Sequence, residues 1–374
     1  MGMISCAGDK NMTQLAASRT SRLSQWAIRM RSARSWGLVT GLVLLVLLVL
    51  PVLAEAATTP LLEFRGQITL PPGTLARRVR ISVALVGVEV TFTSQKRADS
   101  RGRFKFSKLQ PGTYSLAILI PSYGEIRQTV EVTRSFSGPK GRVEKEFVFD
   151  EEALQVRAVP VFKDTVSVRE LSISRKARGE YRKARKRLER RDADGAIEHL
   201  EKAVEQAPQF VEALNNLGTI YFQKKDFARA ECYFREALDQ EPGAYQPMIN
   251  LGGALLAQGR SREALEINLH TQGERPRDPL ANAQLGFSYF MLADYDRALT
   301  YLELAKELDP GHFSNPRISL AEIHLRRSEF KKARRELEEF LEYHPDAPQA
   351  EKVRSTIQKI EQAQRKTPEQ QPSL

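Results

Sequence analysis

Beyond residue 60 the chain alternates apolar with polar or small residues in short runs. Val79, Ile81, Val83 and Leu85 form one run, and Val88, Val90 and Phe92 the next. Tyr114, Leu116, Ile118 and Ile120 repeat the pattern, as do Val130 with Val132 and Phe147 with Phe149. A period of two puts successive side chains on opposite faces of a sheet, one face buried. Turn signals separate the runs at Pro71-Pro72-Gly73, Ser100-Arg101-Gly102, Pro111-Gly112 and Ser137-Gly138-Pro139. Short strands at this spacing predict a β-sandwich over residues 57–150. Residues 151–173 read as a linker, with scattered valines such as Val156 and Val166 and with Pro160 against a helix. From about residue 174 the apolar period becomes helical.

The helical part repeats itself. Pro208, Pro242, Pro276 and Pro310 are 34 residues apart, and Pro345 follows after 35. Ala196, Ala230, Ala264, Ala298 and Ala333 keep the same spacing, and Gly218, Gly252 and Gly286 keep it in the middle units. This resembles the tetratricopeptide repeat. The second unit carries that pattern nearly whole, in Leu214, Leu217, Gly218, Tyr221, Ala230, Phe234, Ala237 and Pro242. Gly and Ala are expected where two helices cross closely, and proline ends each unit. A single hairpin cannot bury its apolar face alone, so the units must stack. Five repeats are predicted over 174–347, then a capping helix and a disordered tail over 348–374. The first unit departs at Lys183, Ala184 and Arg187 and the third at Asn268 and Thr271. The fifth has Leu320-Ala321 and one inserted residue near Phe313.

Asp99-Ser100-Arg101-Gly102-Arg103-Phe104 runs through Phe106 and Leu109 to Pro111-Gly112-Thr113-Tyr114. This is similar to the carboxypeptidase regulatory-like, or prealbumin-like, family. The resemblance implies a non-catalytic β-sandwich module of exported proteins. The fold class expected is multidomain β plus α, an N-terminal antiparallel β-sandwich followed by an all-α tetratricopeptide-repeat solenoid.

The one long apolar run, 38–54, follows Arg29, Arg31 and Arg34 and precedes Ala54-Glu55-Ala56. That order describes a secretory signal peptide within 1–56. The alternative is an inner-membrane anchor at 38–54, short against the ~20 residues a span needs. The 37 residues before the run are long for a signal, and a start at Met30 in place of Met1 would give an ordinary one. Either reading places the protein outside the cytosol, in the periplasm or cell envelope. Cys6 falls in the leader, and Cys6 and Cys232 lack metal-type spacing.

The formal charge of +11 is local. Residues 175–191 hold ten basic side chains against Glu180 and Glu189. This helix is either a solvated outer face or a contact for anionic membrane or an acidic partner. Export argues against nucleic acid. The five histidines are scattered through different repeats and form no metal motif. There is no phosphate-binding glycine loop and no nucleophile elbow. No catalytic residue, cofactor or metal site is therefore expected.

The function expected is that of an exported, non-catalytic scaffold binding a peptide or protein on the concave repeat surface. A self-associating structural envelope or surface protein is the alternative. The resemblance implies groove positions at Asn215, Thr219 and Phe222 in the second unit, Ile249 and Leu256 in the third, and Phe287 and Phe290 in the fourth. Met291 lies beside them. Phe287, Phe290 and Met291 with Leu256 and Ile249 read either as an exposed apolar patch or as packing against the fifth unit.

Overall fold

The computed structural model describes residues 61–71, 80–121, 123–151, 154 and 172–366. The leader with its cleavage or anchor reading, residues 155–171 of the linker and the tail from 367 lie outside the described residues.

Seven strands form among the described residues, on the alternating runs around Val83, Ile118, Val130 and Phe147 but also at Leu62–Thr69 and Thr93–Arg97, which the alternation did not mark, while the Val88–Phe92 run lies outside any strand. They are β1 (Leu62–Thr69), β2 (Ser82–Gly87), β3 (Thr93–Arg97), β4 (Arg103–Leu109), β5 (Gly112–Ile120), β6 (Gly124–Val132) and β7 (Arg142–Val148). One sheet has the order β4-β1-β7 and the other β3-β2-β5-β6. Pairing is antiparallel except between β1 and β7, which run parallel with Phe64 opposite Val143 and Ile68 opposite Phe147. The inward positions interdigitate: Phe64, Ile68, Phe106 and Phe147 from one sheet meet Val83, Leu85, Leu116 and Ile118 from the other. Each such side chain contributes about 1.5–3 kcal/mol by leaving water.

The Asp99–Phe104 segment is the tight turn into β4. Asp99 Oδ1 accepts the Arg101 and Arg103 N–H groups, and Gly102 takes φ +76. A Cβ on Gly102 would lie 2.1 Å from the Ile68 carbonyl oxygen, so both conformation and space call for glycine here. Tyr114, buried on β5, donates its hydroxyl to the Gln110 carbonyl at 2.8 Å.

Eleven helices follow among the described residues. They pair as α1 (Arg175–Glu189) with α2 (Ala193–Gln206), α3 (Val211–Gln223) with α4 (Phe227–Gln240), and α5 (Tyr245–Ala257) with α6 (Ser261–Glu274). α7 (Pro279–Met291) pairs with α8 (Tyr295–Leu308), α9 (Pro316–Arg326) with α10 (Phe330–Tyr343), and α11 (Ala350–Lys366) covers the last hairpin. Ala196, Ala230, Ala264, Ala298 and Ala333 are all fully buried. A Cβ on Gly218 would stand 2.4 Å from the Phe234 ring, and one on Gly286 would stand 2.7 Å from Leu302 Cγ. Within each hairpin the turn places one residue at positive φ: Arg191, Lys225, Gly259, Ala293 and Ser328. Asp192, Asp226 and Asp294 cap the second helices by accepting the N–H three residues on.

The third unit's departures form a polar island in the core. Asn268 replaces the aromatic and donates to Ser288 Oγ at 3.0 Å, while Thr271 donates to the Asn268 carbonyl. In the fifth unit Glu336, 1 % exposed, accepts from Lys306 at 2.8 Å and Arg317 at 3.2 Å, tying α10 to α8 and α9. Residues from Leu61 onward form one compact unit, so the sandwich and the repeats pack together.

Candidate functional site

The outer face of the β3-β2-β5-β6 sheet lies over the repeats, with a cleft of about 400 Å³ between them, within the range of ligand-holding clefts. The wall on the sheet side is low, built from Ala84, Val86, Ser115 and Ala117. These are the outward positions of β2 and β5, whose inward neighbours Val83, Leu85, Leu116 and Ile118 fill the sandwich core.

The wall on the repeat side is rich in amides. Asn215, Asn216, Thr219, Phe222 and Gln223 come from α3; Gln246, Asn250 and Gly253 from α5; Leu280 and Gln284 from α7. Asn216, Asn250 and Gln284 are 34 residues apart, one column repeated through three units. Asn250 Nδ2 donates to Asn215 Oδ1 at 2.9 Å, and Asn216 Nδ2 to the Tyr181 hydroxyl at 3.1 Å. Gln284 is 8 % exposed, and its side-chain carbonyl has no partner among the described residues. A buried acceptor left in that state costs about 1–3 kcal/mol. Gly253 makes the room: a Cβ there would sit 2.8 Å from Gln284 Nε2.

One side of the cleft is closed by β6, an edge strand. Asp309 Oδ2 accepts the Thr129 N–H at 2.9 Å and its hydroxyl at 2.7 Å, and the Phe313 N–H donates to Thr129 Oγ1 at 3.2 Å. Two residues on, Glu131 pairs with His344 Nδ1 at 2.9 Å. Ser135 then donates to Asp346 at 2.7 Å. Two residues earlier, Arg127 pairs with Glu125 at 2.5 Å. Burial works against the Arg127 cation, but the charges of Glu125 and Asp278 prevail and raise its pKa. Buried His312 stacks on Phe313 at 4.4 Å, and burial pulls its imidazole below the ordinary histidine value against Asp309 and Asp278. Alternate residues of β6 thus meet successive inter-repeat loops. The irregularity near Phe313 is the loop that reaches Thr129. Farther along, Gln223 donates to the Gly87 carbonyl at 2.8 Å and Arg185 to Gln95 at 3.0 Å.

The sequence-derived groove residues separate. Asn215, Thr219 and Phe222 line the cleft. Ile249 is 1 % exposed and packs with Tyr245 and Ala281 inside the stack, so it offers no surface. Phe287 and Phe290 are half-buried against Leu285, Tyr289, Leu302 and Leu320, the packing reading of that stripe. Leu256 is half-buried and outside the cleft lining, and Met291 is exposed. Asn216, Asn250 and Gln284 were missed, although their 34-residue spacing was visible. From the basic segment, Arg185 of α1 and Arg191 in the turn after it reach the sandwich through Gln95 and the Lys108 carbonyl. Among the described residues no His/Cys/Asp/Glu cluster is placed to hold a metal, and no helix is long and apolar enough to cross a membrane.

Residues 181–245, 224–285 and 280–312 each match a tetratricopeptide-repeat family model, so this stretch is a run of tetratricopeptide repeats. Proteins with such repeats generally mediate protein–protein interaction. The chain is 27% identical over 156 residues to mouse tetratricopeptide repeat protein 21B, a match covering 41% of this chain and 12% of that protein. The Xenopus laevis counterpart is 24% identical over 155 residues, with the same 41% and 12% shares. The chain thus spans about an eighth of these relatives' length. Among solved structures, MamA (41-end) from Desulfovibrio magneticus RS-1 is 19% identical at a TM-score of 0.41, over 52% of this chain and 99% of that one. YrrB, described as a TPR protein with an unusual peptide-binding site, is 21% identical at 0.40, over 48% and 92%.

Proposed function

We propose that this protein is a non-catalytic interaction scaffold that holds an extended segment of a protein partner between its concave repeat face and its β-sandwich. The observation that carries the reading is the amide column Asn216–Asn250–Gln284 along the cleft wall. Side-chain amides donate and accept, which suits the alternating N–H and C=O of a main chain. The other wall has small side chains and little aromatic surface, which suits a polypeptide backbone. The carboxylates at the rim, Asp309 and Glu131, are already engaged. Export, or retention in the envelope, belongs to the same reading and rests on the basic-apolar-small order before residue 57.

The test is to pan a random-peptide phage library on the full-length chain and measure the selected peptides on Asn250→Ala and Gln284→Ala. Loss of a main-chain hydrogen bond at either position is expected to weaken binding about tenfold. Selected peptides that bind both variants as well as the parent would move the site off the concave face.

A further inference from the structure

We propose that the β-sandwich is a detachable cover over the concave face, held shut by the β6 clasp, and that opening of the clasp controls how much of that face a partner reaches. This rests on the reading of the concave face as the binding surface.

Three features make the cover separable. The outward residues of the sheet, Ala84, Val86, Ser115 and Ala117, line the open cleft and do not pack tightly on the helices. The hydrogen bonds and ion pair that hold it are polar: Thr129 with Asp309 and Phe313, Glu131 with His344 and Ser135 with Asp346 along β6, and at the other end Gln223 with Gly87, Arg185 with Gln95 and Arg191 with Lys108. Behind the clasp the cleft of about 400 Å³ stays open, whereas protein interiors pack to a density of about 0.74. A polar, incompletely filled interface between modules of one chain is the kind that separates.

The shut form also limits what can bind. A stable protein–protein interface covers about 800 Å² on each partner, and a cleft of this size, bounded by the sheet, admits only a short segment. Lifting the sheet uncovers α3, α5 and α7 together. It also exposes the free edge of β6, whose Thr129 N–H is satisfied by Asp309 when shut.

The clasp carries its own reporters. The Thr129 and Phe313 amides bond across the interface, whereas Ile118 lies in β5 between β2 and β6 in the sandwich core. Native-state hydrogen exchange on the full-length chain therefore tests the cover with no ligand present. The Thr129 and Phe313 amides are expected to exchange faster than Ile118 and with a much weaker denaturant dependence, the mark of opening without unfolding. Thr129→Val removes the hydroxyl that accepts from Phe313, and should speed Phe313 exchange about tenfold while leaving Ile118 unchanged. If both clasp amides exchange only with Ile118, at the same denaturant slope, the sandwich does not detach and the proposal falls.

The second arm locks the cover with Ser135→Cys/Asp346→Cys, the parent serving as control under the same reductant. The oxidised lock should slow Phe313 exchange and lower capture of a phage-selected peptide, with reductant restoring both. A lock that slows exchange but leaves capture unchanged overturns the control of access. Peptide binding to the concave face would stand in that case.

Discussion

Gly286 and Gly179 are both helical glycines, and replacing each with alanine should move stability in opposite directions. In an exposed helix Gly→Ala is worth about 0.8–1 kcal/mol of stabilisation. Gly179 in α1 is such a case, because a Cβ there meets nothing within 4 Å. Gly286 in α7 is not. A Cβ there would stand 2.7 Å and 2.8 Å from Leu302 Cγ and Cδ2 and 3.1 Å from the Leu302 backbone nitrogen. Leu302 is fully buried among Leu285, Tyr289, Leu320 and Ile323, so it has nowhere to retreat, and the backbone contact means the helices themselves must part. Overpacking of this kind costs about 1–3 kcal/mol, which outweighs the propensity gain. Gly286→Ala should therefore lose about 1 kcal/mol net, a fall of roughly 2–4 °C in melting temperature. Gly179→Ala should rise. Thermal and urea melts followed by circular dichroism at the helical band measure both. A Gly286→Ala protein as stable as the parent would show that α7 and α8 are not in close contact there.

Glu336→Ala should cost about 1–3 kcal/mol, because it removes the buried acceptor that Lys306 and Arg317 share and leaves them only Glu303 and Glu339; a urea midpoint close to the parent's would refute this. His312 supplies a pH dependence. Its folded pKa is depressed by burial, so the unfolded chain takes up the proton first. Its share of stability is present above the unfolded value of about 6.5 and is lost as pH falls below it. His312→Gln should flatten that part of the stability–pH curve, and an unchanged slope would place the titration elsewhere. A chain starting at Met30 should be recovered from the envelope trimmed near Ala54 or Ala56 by mass spectrometry. An intact leader on soluble cytosolic protein would contradict export.

Much of the architecture was legible because two periods dominate the chain. The alternation around Val83 and Ile118 fixed which faces of the strands are buried, and the 34-residue spacing of Pro, Ala and Gly fixed the hairpins. The site was less legible. A helix turns about 100° per residue, so reading Ile249 in place of Asn250 as the groove position rotated that site into the core. The apolar stripe of Phe287 and Phe290 has one composition whether it faces a neighbour or solvent, and only the placement of Tyr295 and Leu302 decided it. The docking of the sheet could not be read at all. Its signals are short polar residues, Thr129, Glu131 and Ser135, that resemble any solvated edge until Asp309, His344 and Asp346 are seen beside them. The oddity near Phe313 pointed to that loop but not to its partner.

The most direct measurement is a hydrogen-exchange footprint of a phage-selected peptide on the full-length chain. Binding between the concave face and the sheet predicts new protection in α3, α5 and α7 around Asn216, Asn250 and Gln284, joined by the outward face of β2 and β5. Protection confined to the surface near Met291, or to the basic helix α1, would contradict it.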